Sequence, residues 1–139
     1  MYLLDTNIIS EMRRVTAGKG DPAVAAWAGR IDLDSLYTSV IVLMELEQGV
    51  LGIARQDPMQ GQLLRQWLER QVRPAFAGRT LSVDADTTFR CAALHVPDRR
   101  PAHDALIAAT ALQHRLTMVT RNVRDFEGMG VKVLNPFEA

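Results

Sequence analysis

Met1-Tyr2-Leu3-Leu4-Asp5-Thr6-Asn7 is the stretch on which the fold turns. Tyr2, Leu3 and Leu4 form a short apolar run, Asp5 ends it, and a helical pattern begins at Ile8. An apolar run that stops at a polar turn and feeds a helix is the pattern of a buried parallel strand in an α/β protein. In open α/β sheets, ligands sit just beyond the carboxyl ends of the strands. Asp5 therefore stands where chemistry is usually done. The simpler reading is that Asp5 or Asn7 caps the following helix, and only the other acids of the chain weigh against it.

Outward from this stretch, strands and helices alternate. Ile8 to Arg14 reads as a first helix, and the glycines of Val15–Gly20 as a loop. Asp21-Pro22 is a helix start, with the acid as N-cap and proline at the first position, and the helix runs to Arg30. Leu36-Tyr37-Thr38 reads as the second strand, and Ser39 as N-cap of a long helix from Val40 to Ala54. A helix from Met59 to Val72 places Leu63, Leu64, Trp67, Leu68 and Val72 on one face, as core or as a subunit interface. Leu81-Ser82-Val83 reads as a third strand, Asp84 to Leu94 as a helix, and Val96–Pro101 as a loop. A helix from His103 to Leu116, a strand Thr117–Thr120, a turn or short helix through Asp125-Phe126 and a last strand Val131–Leu134 complete the chain. This order specifies a parallel sheet covered on both faces.

At 139 residues, positions 1–139 read as one domain able to bury a real core. No apolar run approaches the roughly 20 residues that span a bilayer, and no signal-peptide pattern opens the chain. The single cysteine, Cys91, excludes an internal disulfide framework and suits a reducing compartment, the cytoplasm. The formal net charge is zero, which gives no global argument for nucleic acid. The cations are nearly all arginine, however, with local clusters at Arg13-Arg14, Arg99-Arg100 and Arg121/Arg124. Arginine forks onto phosphate in a planar, bidentate way. A solvated surface with scattered ion pairs is the alternative for each cluster.

Four carboxylates stand out by context. Asp5 ends the first strand. Glu45 lies in the apolar stretch Ile41-Val42-Leu43-Met44-Glu45-Leu46, where a lone ionised acid is costly unless paired or metal-bound. Glu47 competes with it, since Leu43 and Met44 sit one turn behind, and periodicity does not choose between them. Asp104 opens an alanine-rich helix, where the helix dipole alone favours an acid. Asp125 follows the fourth strand and also suits a turn. The first and fourth strands can lie side by side, which would bring Asp5 and Asp125 together. Two carboxylates ~4 Å apart repel by roughly 4 kcal/mol at an effective dielectric near 20. Such a cluster needs a shared proton or a cation, and oxygen ligands with room for water suit Mg²⁺ or Mn²⁺. That chemistry is typically phosphoryl transfer.

Taken together, Leu4-Asp5-Thr6-Asn7, Met44-Glu45-Leu46-x-x-Gly49, Asp104-Ala105-Leu106-Ile107-Ala108-Ala109-Thr110-Ala111 and Val119-Thr120-Arg121-Asn122-x-x-Asp125-Phe126 resemble the PIN-domain ribonucleases. The similarity is greatest to the VapC toxin group and its FitB-like branch, and it covers nearly the whole chain in order. It implies a PIN-like α/β/α sandwich with a central twisted, mainly parallel sheet of four to five strands. It selects Glu45 over Glu47 and implies that Asp5, Glu45 and Asp104 are metal ligands. Some members carry an acid where Asn122 stands, and others carry it three residues later. The carry-over gives Asp125 as the fourth acid and Asn122 as a site neighbour. Thr6 and Thr120 match hydroxyl positions that orient ligands or water, and Asn7 stands beside them.

The resemblance further implies an Mg²⁺-dependent (or Mn²⁺-dependent) endoribonuclease, the toxin of a toxin–antitoxin pair, leaving a 5′-phosphate and a 3′-hydroxyl. Arg13, Arg14, Arg99, Arg100, Arg121 and Arg124 are then candidates for RNA phosphate contacts. A homodimer, a cognate antitoxin blocking the acidic pocket, and DNA binding only through that antitoxin complete the expectation. The competing reading is a catalytically silent PIN-like module that binds RNA or protein. A haloacid-dehalogenase-type phosphatase is disfavoured, because its second Asp two residues on is Asn7 here. Cys91 and His95 lie one helical turn apart without a second ligand pair of recognisable zinc spacing. His103 and His114 read as structural or exposed.

Overall fold

The computed structural model describes residues 1–138. Five short strands form one sheet: β1 (Tyr2–Leu4), β2 (Leu36–Ser39), β3 (Thr80–Leu81), β4 (Thr117–Val119) and β5 (Val133–Leu134). Their order is β3-β2-β1-β4-β5, and every neighbouring pair is parallel. β1 lies at the centre, in register with Leu36 on one side and with Thr117 on the other at Tyr2. The chain leaves β1 first towards β2 and β3 and later returns to the other side for β4 and β5. The sheet's topological switch point therefore falls between β1 and β4, which is where such sheets open a crevice for ligands.

Among the described residues, seven α-helices flank the sheet: α1 (Thr6–Thr16), α2 (Pro22–Arg30), α3 (Val40–Gln56), α4 (Pro58–Trp67), α5 (Arg73–Ala75), α6 (Ala85–Leu94) and α7 (Ala102–Gln113). Leu3, Leu4, Met118 and Val119 from the central strands are fully buried, with Ile8, Val42 and Ile107 from the helices packed over them. Tyr2 meets the Trp27 ring edge-on at a centroid distance of 5.7 Å, which seats α2 beside the sheet. Gly61 lets α4 close onto α3, because a Cβ there would lie 2.4 Å from the Ala54 Cα.

Most boundaries follow local sequence, and the differences have physical causes. α1 begins at Thr6, not Ile8, because Asp5 is its N-cap. α3 runs two residues past Ala54 and stops at Asp57, which caps α4. The third strand is Thr80–Leu81 and not 81–83. Its partner β2 ends at Ser39, opposite Leu81, and Asp84 already forms a capping box with Thr87 for α6. α7 stops at Gln113 and not Leu116, because Arg115 adopts φ +57°, a left-handed conformation that no helix continues. β4 and β5 are likewise shorter than expected, ending at Val119 and starting at Val133, the limits of their mutual register. The expected helix 59–72 is α4 followed by a π-helical turn, Leu68–Val72, that leads into α5. Of its apolar stripe, Leu68 and Val72 are buried and Leu64 and Trp67 half-buried, but Leu63 is 55% exposed. Four of the five stripe residues thus belong to the core or pack against it, and Leu63 departs from the expectation.

Candidate active site

At the end of β1, Asp5 takes extended backbone angles and its Oδ1 accepts the Thr6 N–H at 2.8 Å. It is a helix cap, and it is also the centre of a buried polar knot. Its Oδ2 accepts from Thr120 Oγ1 at 2.8 Å and from Asn7 Nδ2 at 3.3 Å. Thr120, the residue after β4, is fully buried, and its hydroxyl also accepts the Asn122 N–H at 3.0 Å. Asn7 Oδ1 accepts the Arg121 N–H at 3.0 Å. These bonds tie the carboxyl ends of β1 and β4 together across the switch point. Burial pushes the Asp5 carboxyl upward from its ordinary range, against the hydrogen bonds from Thr120, Thr6 and Asn7.

Glu45 and Glu47 part company in three dimensions. From α3, Glu45 turns towards Asp5: its Oε1 accepts from Thr6 Oγ1 at 2.5 Å, and its Oε2 lies 3.1 Å from His103 Nδ1. Glu47 turns away and is held by Arg65 of α4 in a bidentate pair, with one N–O distance of 2.6 Å. Asp104 sits in the first turn of α7, whose N-terminus has no side-chain cap. Burial first, then the negative charges of Asp5, Asp125 and Glu45, push its carboxyl up to about 6, with His103 opposing. Asp104 thus feels all three of the other acids, which makes the four one electrostatic cluster. Asp125, in a 3-10 turn after β4 (Val123–Phe126), is the exposed member.

The remaining candidates separate. Asn122 is exposed and contributes its backbone N–H to Thr120. The Arg121 guanidinium stacks on Phe137, 4.5 Å from the ring centroid, and Arg100 donates to the Glu127 carbonyl at 2.6 Å, so both hold local structure. Arg99 and Arg124 are exposed. Arg13 lies over the Trp67 ring at 5.8 Å, and Arg14 reaches Glu11 at 3.4 Å. His95 Nδ1 accepts the Arg100 N–H at 2.9 Å, a structural role in the loop before α7. Sequence reasoning passed over His103, which read as merely adjacent to Asp104. Its place in the first turn of α7 was the available signal, but nothing local specified that its ring would face Glu45.

The donor set is all carboxylate, the chemistry of a hard divalent cation. Among the described residues, no three His, Cys, Asp or Glu side chains converge closely enough to enclose an ion. A water-rich octahedral site needs only one or two direct carboxylates. The like charge that raises Asp104 is what a bound cation would relieve. On those grounds the residues fit such a cation.

A parallel α/β sheet that gathers acids at its switch point defines an acid-cluster α/β protein. The chain belongs to the PIN-domain family, whose match spans residues 2–132. Among its relatives are the plasmid stability protein StbB of Pseudomonas syringae (38% identical, all of both chains) and the VapC ribonuclease Y4jK of Sinorhizobium fredii (34%, 99% of each). The toxin FitB of Neisseria gonorrhoeae is 36% identical over 99% of each chain. The fold superposes on FitAB bound to an IR36 DNA fragment with a TM-score of 0.88, at 33% identity over 99% of this chain and 96% of that one. It also superposes on a toxin–antitoxin complex from Klebsiella pneumoniae, with a TM-score of 0.68 at 27% identity over 98% of each chain. No helix among the described residues is long and apolar enough to cross a membrane.

Proposed function

We propose that this chain is the toxin of a toxin–antitoxin pair and an endoribonuclease that uses Mg²⁺ or Mn²⁺ at Asp5, Glu45, Asp104 and Asp125. The observation that carries the reading is the buried knot at the switch point, where Thr120 Oγ1 and Asn7 Nδ2 hold the Asp5 carboxylate and Thr6 Oγ1 holds Glu45. PIN-domain ribonucleases are in general divalent-metal dependent. A bound divalent cation would activate water and offset charge developing on the phosphate. The chain's own residues build the frame for it. Thr120 and Asn7 fix the Asp5 carboxylate, Thr6 and His103 fix Glu45, and the Asp104 carboxylate completes the anionic pocket. In-line attack of water on phosphorus would leave a 5′-phosphate and a 3′-hydroxyl.

The relatives' names and complexes support an antitoxin partner, and DNA reached through that partner. A homodimer in the cytoplasm completes the proposal. The test is cleavage of total RNA by purified wild-type and Asp5→Asn protein with Mg²⁺, Mn²⁺ or EDTA, followed by mapping of the ends. Discrete metal-dependent cuts with 5′-phosphate ends, absent from the folded variant, are expected. Undiminished cleavage by folded Asp5→Asn protein would refute these roles. Absence of cleavage with retained RNA binding would instead favour the silent-module reading.

A further inference from the structure

Helix α1 leads away from the acids along one face. Thr6, Ser10, Arg13 and Ala17 follow at spacings of four, three and four, so the face is continuous over roughly 16 Å. At its acidic end, Thr6, Ser10 and Glu45 line a mostly apolar cleft that Trp67 also lines. Trp67 is also a wall of a second cleft, of about 700 Å³, at the other end of α1. Arg13, Arg14, Lys19 and Arg70 line this second cleft, and no carboxylate does. Lys19 and Arg70 are exposed and, among the described residues, belong to no ion pair. Arg13 lies over the half-buried Trp67 ring at 5.8 Å.

A cleft lined by one sign of charge concentrates its counter-ion. A basic groove combined with an aromatic platform is how single-stranded nucleic acid is held without sequence readout, through backbone charge and base stacking. We propose that single-stranded RNA leaves the acid cluster along α1, stacks a base on Trp67 and lays its phosphates in the cleft of Arg13, Arg14, Lys19 and Arg70. The inference rests on the RNA-cleaving reading for what occupies the acid cluster. An acidic segment of a protein partner is the competing occupant, but the run of cations beyond a stacking ring, on a helix face that begins beside Glu45, favours a polyanion with planar bases.

The experiment separates binding from cleavage. Full-length protein in EDTA is titrated with a fluorescein-labelled, mixed-sequence single-stranded RNA 20-mer at several salt concentrations. Lys19→Glu and Arg70→Glu should each weaken binding by about fivefold and reduce the salt slope by about one. Both side chains are exposed, so folding is not at stake. Tryptophan emission should be quenched by unlabelled RNA, and Trp67→Phe should remove that quenching, since the other tryptophan, Trp27, is buried. Unchanged affinity in both charge reversals, or quenching that survives in Trp67→Phe, overturns the proposal. Wild-type protein that binds RNA in this way yet never cuts it would sink the nuclease reading and leave the groove standing. Metal-dependent cutting that is indifferent to all three variants would do the reverse.

Discussion

Thr120 Oγ1 donates to Asp5 Oδ2 across 2.8 Å, joining residues 115 positions apart at the switch point of the sheet. The same hydroxyl accepts from Asn7 Nδ2 at 3.2 Å and from the Asn122 backbone N–H at 3.0 Å. Thr120→Val keeps the shape and removes all three bonds. Leaving buried polar groups unsatisfied costs about 1–3 kcal/mol. The variant should lose stability in that range by urea unfolding, and its cleavage rate should fall by about tenfold or more as Asp5 loses its orientation. Full stability together with full activity would mean that Thr120 only fills space.

Glu45 and Glu47 make a matched pair for mutagenesis. Glu45→Gln should lower cleavage by on the order of 100-fold, since it removes a carboxylate that faces Asp5 and Asp104. Glu47→Gln should leave cleavage within about twofold, because its half-exposed pair with Arg65 is peripheral. Parallel single-turnover assays on the two proteins decide the assignment, and equal losses would contradict it.

This pair also marks the limit of what local sequence carries. Asp5 was legible because an apolar run, a polar stop and a helical pattern follow one another within a few residues. The order of elements allowed β1 to lie beside β4, with Asp5 and Asp125 near their carboxyl ends, whereas Thr120 entered only through the family resemblance. Glu45 and Glu47 both have apolar residues one turn back, and Arg65, 18 positions beyond Glu47, is what removes Glu47 from the site. That is a tertiary fact. Leu63 read as core because it borders the apolar face, but it lies one residue, about 100° of helix rotation, off the line through Leu64, Trp67 and Leu68 and turns outward. Trp67 gave no sign that it separates two clefts, since a tryptophan on an apolar helical face is ordinarily core.

His103 should act as a positioning residue. An ionised carboxylate only accepts, so His103 Nδ1 is the donor to Glu45 Oε2 at 3.1 Å. His103→Ala should raise the Mg²⁺ concentration for half-maximal cleavage by about tenfold, while His103→Gln, which retains a donor, should recover part of the loss. A metal titration of both variants checks this. A drop in maximal rate with no change in metal dependence would contradict it.

The raised carboxyl of Asp104 links stability to pH in a direction opposite to that of a salt-bridged acid. Its folded value is about 6 against an ordinary 3.8, so between those values the folded protein holds more proton than the unfolded chain. For this group, metal-free stability is therefore greatest below about pH 4 and falls as pH rises through about 6. A shift of this size corresponds to at most about 3 kcal/mol, and solvent screening at a partly open site reduces it to on the order of 1–2 kcal/mol. Asp5, raised by burial, acts in the same direction, whereas Glu47 and Asp84, both held low by hydrogen bonds, act in the opposite one. The informative quantity is thus the difference between wild type and Asp104→Asn. In EDTA the variant should gain stability relative to wild type as pH rises from 4.5 to 7.5, read from urea midpoints. Added Mg²⁺ should stabilise the wild type most above pH 6, where Asp104 is ionised, because a ligand of the folded state adds its binding free energy to stability. If the two proteins keep parallel profiles across that range, Asp104 does not carry the burial and like-charge strain assigned to it.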